Sequence, residues 1–545
     1  MVVGKTDTVP ARTFKTLDGY EQRSAADGKE HYTAIVMGAG LSGMAAAIQL
    51  KRRLGLEDVL VLEKDNDVGG TWSANRYPGA ACDIPLTLYS FSFAPAYGVN
   101  PWASQADIIK YLHRVQRQFN LNNVVFRSAV ESCTFSRSTG LWTVTVRDLE
   151  TDRVRTRTCN ILVSCLGGLA IPNDPPFDPK DFDGEVFHSA QWPKDLDLNG
   201  KRLVVVGNGC SAAQIIPEVI KTAGQVTQIA RARQSFLRRP VTPDSWLMRW
   251  MTRWIPGFGF LLRAAMFFIL EGMFKLSDIK HGVKARTTAV KGLKEYVRDS
   301  APEKYWNDLE PNFDIAAKRR VFDTHYYKAL HAPNMELVAD DSVERVQGDK
   351  VFTRNGKVVE ADVIALATGF KVRDYLFPVK VVNDKGVNLQ DCLMANKVKT
   401  YQSTLVADFP NFFWVMGPNS ATGHSSVLFT SEAQISLMSH LIRPVLSALR
   451  AQPPSQPLKP APYVEVTQEA EDDFYDALRR EMKKRVWEKD GGVSWYVDKD
   501  TGLCTALYPW SQVHFWRQCT YPRYSDFKWT NASRPWAWRS YLGFW

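Results

Sequence analysis

The six residues GAGLSG at positions 38–43 decide the fold. They follow the apolar run Ala34 to Met37 and precede the Ala-rich run Met44 to Lys51, so a strand, a glycine turn and a helix are predicted. In such a turn the glycines allow a sharp bend, close approach of a pyrophosphate and tight packing of the helix on the strand. The glycines with these three tasks are Gly38, Gly40 and Gly43.

An acidic residue completes this first motif. The next apolar run, Val59 to Leu62, ends in Glu63, about twenty residues beyond the last glycine. A carboxylate at this distance accepts hydrogen bonds from the ribose hydroxyls of a dinucleotide. The glycine turn alone is a weak signal, but a strand, a turn, a helix and an acid together predict a dinucleotide-binding domain.

The same plan returns later in the chain. The apolar run Leu203 to Val206 precedes GNGCSA at residues 207–212, and another strand is predicted at Val226 to Ile229. That strand continues into Arg231 instead of a carboxylate, and a guanidinium can pair with a 2′-phosphate, so this site should prefer NADPH to NADH. A solvated surface arginine is the alternative interpretation of Arg231. The cofactor-binding positions predicted in the second turn are Gly207, Gly209 and Ser211.

The first motif has an acid, Glu63, for a ribose without a phosphate, and the second has a base, Arg231, for a ribose with a 2′-phosphate. Two such sites in one chain imply electron transfer from NADPH to FAD. We therefore predict an α/β fold with two Rossmann-like dinucleotide-binding domains, the second inserted in the first and carrying a helical insertion. At 545 residues the chain is long enough for several domains. The predicted limits are 1–170 for the first part of the FAD domain, 171–345 for the NADPH domain with its insertion at about 240–300, and 346–545 for the second part of the FAD domain with a C-terminal lid or tail.

The hairpin predicted at residues 351–358, with Asn355-Gly356 at its turn, leads into a strand from Asp362 to Ala367. We interpret this strand as the return to the first domain. The most apolar stretch, Ile255 to Leu276, contains Pro256, Arg263 and Glu271, so it falls short of the roughly 20 uninterrupted apolar residues of a transmembrane helix. A lid or substrate-domain helix is favoured there, and a weak contact with a membrane surface is the alternative.

Composition limits the partners and the compartment. The net charge of +10 suits anionic ligands, and phosphate-bearing cofactors meet that need without nucleic acid. The eight cysteines form no C-x-x-C pair and no His/Cys pattern of a metal site, which favours a reduced, cytoplasmic compartment and excludes a disulfide reductase. The oligomeric state is not predicted.

A further motif lies between the two turns. The run FDGEVFHSAQWP at residues 182–193 matches F-x-G-x-x-x-H-x-x-x-W-P at every fixed position, including His188 and Trp192. This run resembles the signature of the type I Baeyer–Villiger monooxygenases, a family of class B flavin-dependent monooxygenases. The resemblance extends from about Tyr32 to Trp529.

The resemblance implies roles for individual residues. The segment with Gly70, Thr71 and Trp72, followed by Asp83, is similar to the part of the family that embraces the flavin, and Asn411, residues 417–419 and His424 are similar to the stretch that closes over the flavin ring. Lys318 and Arg319 resemble the pair that reaches the NADPH phosphate and the reactive flavin. Trp495 lies in a run similar to the loop over the nicotinamide nucleotide. From the same resemblance we expect His188 and Trp192 to be cofactor-binding residues.

The family chemistry gives the catalytic pair a reason. It implies that a C4a-peroxyflavin attacks a ketone and that O2 supplies the oxygen of the resulting ester or lactone. The aromatic insertion at about Trp246 to Phe274 and the aromatic tail indicate that the ketone is bulky and apolar. The peroxyflavin reacts as an anion, which a permanent cation and a site with little water would stabilise. Arg319 is better suited to supply that cation than a lysine, and Asp83 would hold Arg319 in place.

Two departures from the family leave substrate and lid open. Leu86 stands where many relatives have a serine, and residues 497–510 differ from the family's Gly-Ala-Asn-Ile-Pro-Gly loop. The alternatives are a flavin monooxygenase that oxygenates nitrogen or sulfur, an uncoupled NADPH oxidase, and a binding protein that kept the fold without the chemistry. The Trp192-Pro193 ending favours the ketone.

Overall fold

Two mainly parallel sheets organise the chain in a computed structural model, which describes residues 11–16, 19–25, 29–97, 102–239, 246–395, 398–452, 458–491 and 494–535. The first sheet has the spatial order Lys380–Val382, Ser128–Ser136, Leu141–Asp148, Val154–Ser164, His31–Met37, Val59–Leu62 and Val124–Val125, with Phe412–Trp414 also paired to Val154–Ser164. Apolar side chains cover both faces of its parallel centre, which explains the continuous apolar runs in the sequence.

The second sheet has five parallel strands in the order Met335–Ala339, Gln225–Ala230, Arg202–Val206, Val363–Leu366 and Glu185–His188. The predicted strands at 203–206 and 226–229 form the centre of this sheet. The α/β fold with two Rossmann-like units is therefore confirmed.

One interpretation of the sequence was wrong. The strand predicted at Asp362 to Ala367 does not return to the first domain, because Val363–Leu366 pairs with Arg202–Val206 and Glu185–His188 in the second sheet. Its four residues are all buried, and a short apolar run of this kind fits the centre of either sheet equally well. The first strand to rejoin the first sheet is Lys380–Val382, so the chain returns after residue 366 and not at 346.

Smaller elements complete the fold. The hairpin strands Lys350–Thr353 and Val358–Glu360 join Val343–Gln347 in a three-stranded sheet, as the Asn355-Gly356 turn predicts. Two-stranded sheets pair Thr13–Lys15 with Glu21–Arg23, Phe236–Arg238 with Val321–Asp323, and Tyr463–Val466 with Phe527–Thr530. The α-helices along the described chain are Leu41–Leu54, Thr71–Ala74, Gln105–Gln118, Cys210–Val219, Trp246–Trp254, Phe258–Gly272, Val283–Ser300, Trp306–Leu309, Tyr326–Ala329, Leu389–Ala395, Val427–Ala451, Gln468–Met482 and Gln512–Thr520.

The predicted insertion is helical. Its described part contains the first insertion helix, Trp246–Trp254, the second insertion helix, Phe258–Gly272, and Val283–Ser300. Residues 240–245 lie outside the described chain, as do residues 1–10 and the end of the predicted tail at 536–545. No single described helix is long and apolar enough to cross a membrane. One pair, Trp246–Trp254 with Phe258–Ser277, passes that test jointly by composition but is bent by 117°.

Candidate active site

The first glycine turn is held by close backbone contacts. A Cβ atom on Gly43 would lie 1.8 Å from the carbonyl oxygen of Gly38, so the helix packs against the turn at a distance that only glycine permits. Gly40 is the N-cap of the helix Leu41–Leu54, and Gly70, which has φ +54°, places its Cα 3.6 Å from where a Cβ of Gly40 would be. The glycine segment at 69–70 thus lies directly over the dinucleotide turn.

Glu63 lies where the sequence predicts it, at the end of Val59–Leu62. Its buried carboxylate accepts hydrogen bonds from the backbone N–H of Ala39 over 2.6 Å and of Asp65 over 2.9 Å. Burial, with the charge of Asp65 in support, raises the pKa of Glu63 to about 7. The acid therefore faces the turn, where a ribose hydroxyl would meet it.

Trp72 connects the glycine segment to the next loop. Its Nε1 donates to the hydroxyl of Tyr89 over 3.0 Å, and the side-chain amide of Gln105 donates to the Trp72 carbonyl over 2.6 Å. Thr71 begins the short helix and is exposed. Tyr89 lies close enough to Asp83 for the carboxylate charge to act on its pKa. The segment predicted to bind the flavin and the predicted catalytic carboxylate therefore lie in one region.

The second turn has one closed and one open glycine. A Cβ on Gly207 would lie 2.4 Å from the carbonyl oxygen of Ala367, whereas a Cβ on Gly209 would meet no atom within 4 Å. Ser211, in the first turn of Cys210–Val219, donates to the hydroxyl of Tyr77 over 3.4 Å. Protein packing explains Gly207, and the space beside Gly209 is available to a pyrophosphate.

The two turns and their flanking groups fit the predicted cofactors. The first combines a helix N-terminus that has no side-chain cap with a buried acid, as a dinucleotide without a 2′-phosphate on its ribose requires. The second combines an open glycine with a group of cations at the end of the neighbouring strand. FAD therefore suits the first turn and NADPH the second.

The cationic group consists of Arg231, Arg233 and Lys318, and these residues differ in whether they already have a partner within the protein. Arg233 forms an ion pair of 2.7 Å with Asp340, and Lys318 donates from Nζ to the Arg233 carbonyl over 2.7 Å. Arg231 is exposed and has no hydrogen bond or ion pair with any described residue. Burial, together with the charge of Arg231, lowers the pKa of Lys318 to about 8. Arg231 is thus the guanidinium available to a 2′-phosphate, with Lys318 beside it.

The predicted catalytic pair is formed. Arg319 donates from Nη2 to Oδ2 of Asp83 over 3.0 Å, and the thiol of Cys210 lies 3.8 Å from the same oxygen. Burial acts to lower the pKa of Arg319, but the charge of Asp83 holds it above its usual range, so the guanidinium stays charged. Since Cys210 begins the helix of the second turn and Asp83 follows the glycine segment of the first domain, this pair lies where the two nucleotide units meet.

His188 connects the signature run to the segment that follows the strand Val363–Leu366. Its Nδ1 accepts from the N–H of Ala190 over 3.2 Å, which leaves the proton on Nε2 to donate to the Gly369 carbonyl over 3.0 Å. Burial lowers the pKa of His188, in keeping with this neutral form. Trp192 packs edge-on against Phe187 with a centroid distance of 5.1 Å. His188 thus holds the backbone segment at Gly369, and Trp192 packs against the core of the second nucleotide unit.

The remaining predicted residues have mixed positions. Trp495 is partly exposed, whereas its neighbour Tyr496 is fully buried near Arg319. Asn411 anchors a strand start through its side-chain bonds to the backbone of Asn160, Pro462 and Val464. Leu86, one of the departures, is buried in the core of the first domain.

His424 has a partner that the sequence analysis missed. Its Nε2 lies 2.9 Å from Oε2 of Glu271, and Oε1 of the same carboxylate accepts from the backbone N–H of Gln512 over 2.7 Å. Glu271 belongs to the second insertion helix and shares the inner face of that helix with Gly259, Arg263 and Phe267, at a spacing of four residues. Arg263 donates to the carbonyls of Thr87 and Ser90. The signal available in the sequence was the eight-residue spacing of Arg263 and Glu271, which places both on one face of an apolar helix.

Comparison with known proteins supports the same class. A family model described as an NAD(P)-binding Rossmann-like domain matches residues 36–100, and one described as L-lysine 6-monooxygenase/L-ornithine 5-monooxygenase matches residues 98–242. An FAD-binding monooxygenase of Aspergillus niger is 30% identical over 91% of this chain and 81% of its own length. A Baeyer–Villiger monooxygenase of Streptomyces coelicolor is 32% identical over 90% of this chain and 91% of its own.

A solved structure agrees with these relatives. An oxidised steroid monooxygenase bound to NADP is 25% identical, with a TM-score of 0.75 over 92% of this chain and 99% of that one. Fold and site together define a flavoprotein monooxygenase that uses FAD and NADPH. Within that class, the chain belongs to the Baeyer–Villiger monooxygenase family.

Proposed function

We propose that this enzyme converts an apolar ketone into an ester or lactone with NADPH and O2, and that Arg319 and Asp83 are its catalytic pair. The observation that carries the proposal is the ion pair of 3.0 Å between Arg319 and Asp83 at the junction of the two nucleotide units. A permanently charged guanidinium at such a junction stabilises negative charge that develops on an oxygen-bearing group.

Bound FAD supplies the redox chemistry, passing electrons from NADPH to molecular oxygen. The chain itself supplies charge, orientation and exclusion of water. Asp83 orients the guanidinium of Arg319 through its hydrogen bond, and the buried side chain of Tyr496, from the C-terminal segment, lies near it. Because burial strengthens electrostatic interactions, a cation in this place is more effective than one in open solvent.

Recognition of NADPH is assigned to the second turn. Arg231 and Lys318 would bind the 2′-phosphate, and the open space beside Gly209 would accept the pyrophosphate. We assign His188 an indirect role, because its hydrogen bond to the Gly369 carbonyl holds the segment that follows Val363–Leu366. We assign His188 and Trp192 positioning roles.

Only the side chains on the inner side of the helical insertion bear on the size of the ketone. Trp246, Trp250 and Trp254 are exposed, so the aromatic content of the first insertion helix is no argument for a bulky substrate. On the inner side, Phe267 packs against Phe429 with a centroid distance of 4.6 Å, and Phe274 lies 5.3 Å from the His424 ring. These groups provide an apolar wall suited to a ketone of substantial size.

One observation favours a second candidate function. The family model described as L-lysine 6-monooxygenase/L-ornithine 5-monooxygenase matches residues 98–242, the part that contains the second turn. Oxygenation of an amine nitrogen is therefore the alternative to be tested. The Trp192-Pro193 ending of the signature supports the ketone.

Aerobic turnover decides between these functions. Purified enzyme with FAD and NADPH is offered cyclic, aryl and steroid-like ketones, and in parallel amines and thioethers, and products are identified by mass spectrometry. An ester or lactone from a ketone is the expected result. Oxygenated amines or sulfides in the absence of any ester would replace the proposal with its alternative, and NADPH consumption that yields only hydrogen peroxide with every compound would identify an uncoupled oxidase.

A further inference from the structure

The second insertion helix carries large apolar side chains on its exposed face as well as on its buried face. Its inner face, with Gly259, Arg263, Phe267 and Glu271, contacts the first domain and the C-terminal segment. Its other face carries Leu261, Phe268 and Ile269, all exposed. A helix that needed only to cover the site would have polar residues on its outer face.

The first insertion helix continues this exposed apolar surface. Its three tryptophans follow at a spacing of four residues and therefore lie along one side of the helix. We define the outer face of the insertion as seven large side chains that are between 49% and 77% exposed: Trp246, Trp250, Trp254, Phe260, Leu261, Phe268 and Ile269. Together they expose on the order of several hundred Å² of apolar surface, which is the size at which an exposed patch signals a binding surface.

The charges around this face have one sign. Residues 246–276 contain four basic residues and a single acid, Glu271; among the basic residues, Arg263 is directed inward to the carbonyls of Thr87 and Ser90 and does not belong to this face. The carboxylate of Glu271 is directed inward to His424 and Gln512, so it does not reach the outer face. The guanidinium of Arg253 lies 5.7 Å from the ring centre of Trp254, and Lys275, just after the second insertion helix, is exposed. An apolar face with a basic margin and no outward carboxylate is complementary to an anionic surface.

We propose that the outer face of the insertion binds the surface of a bilayer that contains anionic phospholipids. Tryptophan is the side chain best suited to the interface between headgroups and acyl chains, and arginine and lysine beside it pair with the phosphates. The 117° bend between the two helices prevents a straight span and is compatible with both helices lying in the plane of the interface. This inference does not depend on the identity of the substrate.

A second copy of the chain fits the same face less well. A two-fold symmetric contact would bring the basic margin of one copy against that of the other, and like charges across an interface oppose association. The overall charge of +10 adds to that repulsion. A bilayer with anionic headgroups provides the opposite charge.

Vesicle flotation of the FAD-loaded, full-length enzyme tests the proposal. The probes are phosphatidylcholine vesicles with and without phosphatidylglycerol, at low and high salt. The wild-type enzyme should float with the anionic vesicles, and high salt should weaken this binding. Replacing Trp250 and Trp254 together with serine should reduce the partition coefficient on the order of tenfold or more for each tryptophan.

The matched control is Trp516→Ser, because Trp516 is 43% exposed in Gln512–Thr520, outside the insertion. This variant should bind vesicles like the wild type, and absorbance of bound FAD and the circular dichroism spectrum verify that all variants are folded. Absence of wild-type flotation, or equal binding by the Trp250/Trp254 variant, would overturn the proposal. A wild-type dimer that dissociates in the Trp250/Trp254 variant, measured by sedimentation equilibrium, would also overturn it and assign the face to self-association.

Discussion

Arg319 and Asp83 are 236 positions apart in the chain, yet the Nη2 of Arg319 donates to Oδ2 of Asp83 over 3.0 Å. The same oxygen lies 3.8 Å from the thiol of Cys210, at the start of the second dinucleotide helix. Burial and the charge of Asp83 raise the pKa of this thiol to about 12, so Cys210 is neutral and Asp83 is left to pair with Arg319. The proposed catalytic charge is therefore fixed by groups from both nucleotide units.

Replacing Arg319 with alanine should separate electron transfer from product formation. NADPH would still reduce the flavin, but formation of ester would fall by at least about 100-fold, because the cation that Asp83 orients would be missing from the site. NADPH oxidation, peroxide and product are measured in the same reaction. Arg345→Ala, which removes an exposed arginine from the hairpin sheet, should change none of them. Substantial ester formation by Arg319→Ala would remove Arg319 from the catalytic role.

Gly209→Ala should affect the nucleotide and not the fold. Gly209 has φ −93°, which alanine adopts without strain, and the added Cβ would meet no protein atom within 4 Å. The melting temperature should stay close to that of the wild type, while KM for NADPH should rise on the order of tenfold because the methyl group occupies the space of the pyrophosphate. Gly167→Ala is the control, since its Cβ also meets nothing. An unchanged KM in Gly209→Ala would place the nucleotide elsewhere.

Arg231→Ala should lower the preference for NADPH over NADH on the order of tenfold or more, measured as the ratio of the two kcat/KM values. The control is Arg233→Ala, because Arg233 is already paired with Asp340 and should contribute less. A larger loss of preference in Arg233→Ala than in Arg231→Ala would reverse this assignment.

Lys318 predicts a pH dependence of NADPH binding. Its pKa is lowered to about 8, so the lysine is charged below that pH and loses its charge as the pH rises through it. A bound 2′-phosphate favours the charged form, so binding takes up a proton above pH about 8. KM for NADPH should therefore rise above this pH and KM for NADH should not. Equal pH profiles for the two nucleotides, or an unaltered NADPH profile in Lys318→Met, would contradict the role of Lys318.

Glu271→Ala should destabilise the attachment of the insertion. It removes the acceptor for both His424 and the backbone N–H of Gln512, and leaving buried donors unpaired costs about 2–4 kcal/mol. Denaturant unfolding measures this cost. Glu295→Ala, on the exposed side of Val283–Ser300, should stay within about 0.5 kcal/mol of the wild type. Equal stability of the two variants would show that the Glu271 contacts contribute little.

The sequence predicted the local motifs well and the long-range relations less well. Both glycine turns, Glu63 and the strands beside them follow from apolar spacing and turn chemistry, which act within about thirty residues. The strand Val363–Leu366 shows the limit, since four buried apolar residues do not specify which of two parallel sheets they join. Only pairing with Arg202–Val206, about 160 residues earlier, decides it.

The insertion shows a second limit. Its aromatic content indicated a bulky apolar ketone, but content does not say which face of a helix is buried, and Trp246, Trp250 and Trp254 are exposed. Glu271 was noted only as an obstacle to a transmembrane helix, because its partners His424 and Gln512 are more than 150 residues away. Pairs of this kind follow from packing and not from local pattern.

The most direct test of the proposed function is the origin of the new oxygen atom. The enzyme is supplied with NADPH, a ketone and isotopically labelled molecular oxygen in unlabelled water, and the product is analysed by mass spectrometry. The account predicts an ester or lactone that is one oxygen heavier than the ketone, with the label at the inserted position. A ketone recovered unchanged across the panel while amines or sulfides acquire the label would contradict it.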